Sequence, residues 1–144
     1  MRTPIVGALV AFALAAGLTS TFASSDVTFI PAPQVAAAFE KGAVLVNRGS
    51  YQVHASRRES PGQVEVHVKD TDIIYMLEGT TVFVTGGSIV NGTTTAPDEI
   101  RGTGVQGGET RTLTKGDVVI VPKGTPHWFK EVSPPVLYYV VKVQ

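Results

Sequence analysis

Cysteine is absent from all 144 residues. That excludes a disulfide framework and leaves burial, strand pairing and metal binding as sources of stability. An excess of charge is absent too: 12 lysines and arginines balance 12 aspartates and glutamates. A neutral chain has no electrostatic ground for binding nucleic acid or an anionic membrane. No internal repeat is found, and the length is that of one ordinary domain with a genuine core. Long apolar runs are limited to Ile5–Leu18, which falls short of the ~20 residues a membrane span needs, so stable membrane insertion is not expected.

That run follows Arg2 and precedes Thr21-Phe22-Ala23, a small-x-small cleavage site. The pattern predicts that residues 1–24 are a signal peptide, cleaved near Ser24. Residues 25–144 then form a single domain in the periplasm or outside the cell.

What is plentiful is glycine (15 residues) and proline (9), beside 43% hydrophobic residues. Such a chain favours short strands joined by turns. Pro33–Lys41 predicts one short helix, with proline at its start, Val35 and Phe39 one turn apart, and Gly42 at the C-cap. After it the apolar period changes to two. Ala43–Val46, Tyr51–Ser56, Val64–Lys69, Ile73–Leu77, Thr81–Thr85, Val118–Val121 and Leu137–Val143 read as strands, separated by glycine-bearing turns. The class is all-β, an antiparallel sandwich or barrel. Asn91–Thr110 is polar, rich in glycine and threonine, and reads as a long loop suited to a lid. Its Gly102-Thr103-Gly104-Val105-Gln106-Gly107 matches a dinucleotide fingerprint in letters only, because no strand feeds it and no helix follows. Asn91-Gly92-Thr93 reads as a turn rather than a glycosylation site.

The densest signal runs from Gly116 to Glu131. A strand ends at Pro122, Gly124 permits a tight reversal, and His127 opens the returning strand, with Phe129 and Glu131 on its face. Upstream, Glu65 and His67 alternate with Val64, Val66 and Val68, so they share the opposite face. Buried unpaired, these polar groups would cost several kcal/mol, roughly. A divalent ion shared by two imidazoles and one or two carboxylates removes that cost, and iron(II), manganese, zinc, nickel and cobalt all suit such a set.

The stretch Gly116–Glu131 resembles the second motif of the cupin family: glycine, five residues, Pro-x-Gly, two residues, histidine, three residues and asparagine, here replaced by Glu131. The first family motif, His-x-His followed by glutamate and then glycine, is similar to Glu65-Val66-His67 with Asp72 and Gly79. A register that starts the motif at His67 and puts Lys69 at the second histidine leaves the acid one residue too close. The resemblance implies a cupin-type double-sheet β-barrel (jelly roll) with one short N-terminal helix. It implies one divalent transition metal on His67, His127, Glu65 and Asp72.

The mouth of such a barrel takes a small-molecule ligand or substrate. His54, Tyr75, Phe129 and Glu131 are candidates to line it, His54 only if its face of the Tyr51–Ser56 strand turns inward. Cupins of this size commonly pair as homodimers, and the face of Val64, Val66 and Val68 needs a cover, either the N-terminal segment or a second subunit. The family contains dioxygenases, isomerases, decarboxylases and lyases. A metal-dependent enzyme is therefore expected, with a non-catalytic sugar- or acid-binding module, or a structural dimer with a vestigial site, as alternatives.

Overall fold

The computed structural model describes residues 27–144, so the expected signal peptide lies outside the described residues. The helix α1 spans Ala32–Lys41, one residue longer at its start than Pro33 predicts. Proline in its first turn needs no N–H partner there, and Gly42, at φ 78°, turns the chain out of the helix. Phe39 packs edge-on against Tyr139 at 5.0 Å between ring centres, which holds α1 over the outer side of the sheet.

Eleven strands follow: β1 (Ala43–Asn47), β2 (Tyr51–Arg58), β3 (Val64–His67), β4 (Thr71–Thr85), β5 (Ser88–Val90), β6 (Thr93–Ala96), β7 (Glu99–Gly102), β8 (Gly104–Gln106), β9 (Glu109–Leu113), β10 (Val118–Val121) and β11 (His127–Val143). The two longest, β4 and β11, pair antiparallel from Thr71↔Val143 to Thr85↔His127 and belong to both layers. One layer runs β1-β2-β11-β4-β10 through the C-terminal half of β11. The other runs β6-β7-β3-β11-β4-β9 through its N-terminal half. β5 and β8 form a separate ribbon. The result is mostly antiparallel strand, a curled double sheet of the jelly-roll kind with one short helix.

The core between the layers is Ile74, Met76, Phe83, Leu113, Val121, Phe129, Val136, Tyr138 and Val140. It supplies the apolar burial that a cysteine-free chain needs.

Three expectations are corrected here. Ile73–Leu77 and Thr81–Thr85 are one strand, because Gly79 is not a turn but a crossing point. At φ 82°, it would place a Cβ 2.4 Å from the Pro135 carbonyl oxygen, so only glycine lets β4 pass the kinked part of β11. Asn91–Thr110 is no open loop or lid: β6, β7, β8 and the start of β9 occupy it, and β7 pairs with β3 from Val64↔Gly102 to His67↔Glu99. Finally, Val64 and Val66 are already buried, whereas Val68 lies beyond the end of β3 and is exposed. The valine face therefore gives no support for a second subunit.

Candidate metal centre

The polar residues of the interior gather between the layers near one end of the barrel. β3 brings Glu65 and His67 inward on alternate positions, with Val64 and Val66 pointing the other way into apolar contacts. His127 begins β11 directly opposite Glu65. The turn between β10 and β11 makes this possible: Thr125 N–H donates to the Pro122 carbonyl, and Gly124 N–H donates 2.8 Å to the carbonyl of His67 itself. One backbone bond thus ties the two histidine-bearing segments together.

Ligand atoms of Glu65, His67 and His127 all lie within 4.8 Å of one another. The two imidazole centres are 4.9 Å apart, and His127 Nε2 is 3.8 Å from Glu65 Oε2. The other oxygen of Glu65 accepts from Arg101 at 3.1 Å, which fixes the carboxylate and leaves Oε2 toward His127. Small side-chain rotations would bring these three donors to the ~2.0–2.2 Å that a divalent transition metal requires.

Asp72 adjoins this group. Its Oδ2 is 3.0 Å from His67 Nδ1 and 3.7 Å from His127 Nε2, while Oδ1 accepts from Lys142 Nζ at 3.1 Å. Burial alone would raise the Asp72 carboxyl; the hydrogen bond with His67 and the Lys142 ammonium outweigh it and hold it below its ordinary value. The His127 imidazole is pushed down, chiefly by burial, with the Thr125 carbonyl, 3.1 Å from Nδ1, acting in the opposite direction. A neutral imidazole whose second nitrogen is held by a carbonyl is the form that binds metals.

The donor set, two imidazoles and a carboxylate, fits a divalent transition metal. Lys142 is the feature that does not come with the set. Its Nζ lies 2.9 Å from His67 Nδ1, so an ion at His67 requires the ammonium to swing aside.

The cluster opens into a cavity of about 370 Å³. Of the side chains expected to line it, His54 and Phe129 do, His54 half-buried with Nε2 3.0 Å from Gln52 Oε1. Burial is the main reason that His54 also titrates below its ordinary value, with Lys142 adding to it. Tyr75 and Glu131 are corrected. Tyr75 sits at an odd step from Asp72 along β4 and points outward, 44% exposed. Glu131 should share the face of His127, but a bulge between Phe129 and Glu131 inserts Lys130 and leaves Glu131 exposed.

Sequence reasoning missed Lys142, Arg101, Arg58 and Tyr138, which also line this cavity. Lys142 had a readable signal, since it falls two and four residues beyond Val140 and Tyr138 on the inward side of an apolar strand. A larger groove of about 600 Å³ runs along β9 and β10, yet its lining has no histidine and no converging donors. Size does not pick the site; chemistry does.

A sequence profile described as cupin matches residues 34–144. The chain belongs to the cupin family. A search of curated proteins finds no match in sequence. Among solved structures, a Bacillus halodurans protein is similar at 12% identity and a TM-score of 0.59, over 83% of each chain. KdgF from a Halomonas species is similar at 16% identity and a TM-score of 0.52, over 71% of this chain and 77% of its own. The DMSP lyase DddQ of Ruegeria pomeroyi gives 18% identity and a TM-score of 0.52, over 72% of this cupin and 46% of the lyase. At such identities the likeness is one of fold alone.

Proposed function

We propose that this cupin binds one divalent transition metal on Glu65, His67 and His127 and uses it as an enzyme on a small oxygenated molecule. What carries the proposal is the convergence of the three donors inside one open cavity. A metal bound by these residues would supply Lewis-acid polarisation of an oxygen of a molecule in the cavity. The protein's own residues do the rest. Arg101 orients Glu65, the Thr125 carbonyl orients His127, and Asp72 stands beside both imidazoles with its charge matched by Lys142. Asp72 is thereby better placed to steady the histidines than to replace Glu65 as a ligand. Lyase, isomerase, decarboxylase and dioxygenase chemistry all remain open to such a centre.

One observation favours a second reading, a ligand-binding module that works without metal: the Lys142 ammonium already sits against His67 and Asp72. Elemental analysis of protein purified without added metal separates the two. The first reading expects near-stoichiometric metal in the wild type and its loss in H67A/H127A. Metal-free wild type that still binds small ligands would favour the second.

Two features of the surroundings belong to the same proposal. Residues 1–24 act as a leader for export, supported by Arg2, the Ile5–Leu18 run and the small-x-small site. The protein also pairs with a second copy, through a different face from the valine one. Ile73, Tyr75, Val118, Ile120 and Val143 point outward from β4, β10 and β11 and are each more than a third exposed. No charged side chain interrupts them along these strands, so the face offers nothing to select a charged partner and suits a self-complementary contact.

A further inference from the structure

The cavity beside the metal centre carries three cationic side chains, and only two have a carboxylate partner. Arg101 bonds Glu65 and Glu99, and Lys142 bonds Asp72. Arg58, on β2, has none in ion-pair range among the described residues, although it is half-buried. It is nonetheless held firmly. Its Nε donates 2.9 Å to Tyr138 Oη, and its guanidinium carbon lies 4.3 Å from the centre of the Phe129 ring. Gly62 completes the seat: a Cβ there would come within 2.6 Å of Arg58 Nη1. The Gly62 backbone is itself anchored, its N–H to the Phe129 carbonyl at 3.0 Å and its carbonyl to Trp128 Nε1 at 2.7 Å.

A guanidinium laid on an aromatic face, bonded to a buried phenol and left without a counter-charge is a preorganised anion receptor. Its planar fork matches a carboxylate, which takes two parallel N–H bonds. The surroundings limit the charge of the ligand. Glu65, Asp70, Asp72, Asp98 and Glu99 also line the cavity, and a dianion such as phosphate would be repelled by them. At Arg58 itself, one unmatched guanidinium suits one negative charge.

We infer that Arg58 is the binding site for the carboxylate of a small monocarboxylic acid, whose remaining oxygens face the Glu65, His67 and His127 cluster. This rests on the proposed reading of the cavity as the ligand site and adds the substrate class to it. A cavity of about 370 Å³ lies at the small end of ligand sites, which suits an acid of a few carbons.

The test is calorimetric titration of the full chain with glycolate, lactate, gluconate and benzoate, each beside its uncharged amide, and with inorganic phosphate. Metal content is measured on the same samples. At least one acid should bind about tenfold or more tightly than its amide, the size expected of a charge-assisted bond pair. R58Q should erase that preference while leaving metal content unchanged, and R58K should restore part of it as a point charge. G62A, which pushes the guanidinium off its seat without touching its charge, should weaken the acid and not the amide. Equal binding of every acid and its amide, no binding by any acid, tighter binding of phosphate, or an unchanged preference in R58Q would each overturn the inference. A wild type that holds no metal yet prefers acids would instead overturn the metal reading and leave this one standing.

Discussion

Adjacent residues of β4 and β11 face two different worlds. Asp72, Ile74 and Met76, with Tyr138, Val140 and Lys142, point between the layers; Ile73 and Tyr75, with Tyr139, Val141 and Val143, point outward. The inner side holds apolar core at one end and a set of paired charges at the other. The outward residues of this stretch carry no charge: Ile73, Tyr75 and Val143 are exposed, while Tyr139 and Val141 are half-buried, Tyr139 against Phe39 of α1. Along this stretch hydrophobicity alone therefore does not separate inside from outside. Parity along the strand does, and it is anchored by Glu65 and His127, which meet across β3 and β11. The difference teaches that the two ends of the interior contribute differently to folding, since burying charges adds little stability by itself.

This contrast can be broken in graded steps. The largest effect on folding belongs to the apolar inner end, where Phe83 is 0% exposed and meets Phe129 edge-on with ring centres 4.7 Å apart. F83A, which removes this edge-on contact, should lower unfolding free energy by about 3–5 kcal/mol in denaturant titration. Next is the charged inner end. D72N strands the Lys142 ammonium and should cost about 1–3 kcal/mol, and D72N/K142M should be more stable than the two single losses add up to. Additive losses would mean that the pair is not one unit.

A smaller effect follows from pH. His127 and His54 titrate below 6.5 in the folded chain, so the unfolded chain binds protons first as the solution is acidified. Stability present at neutral pH should fall from about 6.5 downward, toward their lower folded values. The contribution of Asp72, whose folded value is depressed, should persist until the pH drops below 3.8. A melting temperature that is flat from pH 7 to 5 would show that these imidazoles are not held neutral. The smallest effect on folding belongs to the outer face. I120K should change monomer stability by no more than about 0.5 kcal/mol, yet convert a dimer to a monomer in sedimentation. A wild type that sediments as a monomer removes the proposed pairing.

How much of this is legible in the sequence follows the strength of the two-residue period. Glu65 and His67 between valines, and His127 after Pro122-Lys-Gly124, announce their faces because buried neighbours alternate with them. The strands β6 to β9 do not. β6 is exposed at every position, so its Thr93-Thr-Thr-Ala96 has no apolar side to show, and a paired strand looks like a loop. Gly79 misled for another reason: glycine marks both turns and close crossings, and only the nearness of Pro135 tells them apart. Glu131 was lost to a single inserted residue, since one bulge reverses every face beyond it. Arg58, and Lys142 despite its inward parity, read as solvent-facing because basic residues near a strand end usually reach solvent. Here the second layer, with Glu65 on β3 and Glu99 and Arg101 on β7, closes over them.

The most direct measurement is anomalous diffraction from crystals of the full chain grown with cobalt(II). The account predicts one strong peak between the layers, about 2.0–2.2 Å from one nitrogen each of His67 and His127 and from a Glu65 oxygen, with the Lys142 ammonium displaced. A peak elsewhere, or none between the layers with Lys142 still against His67, would contradict it.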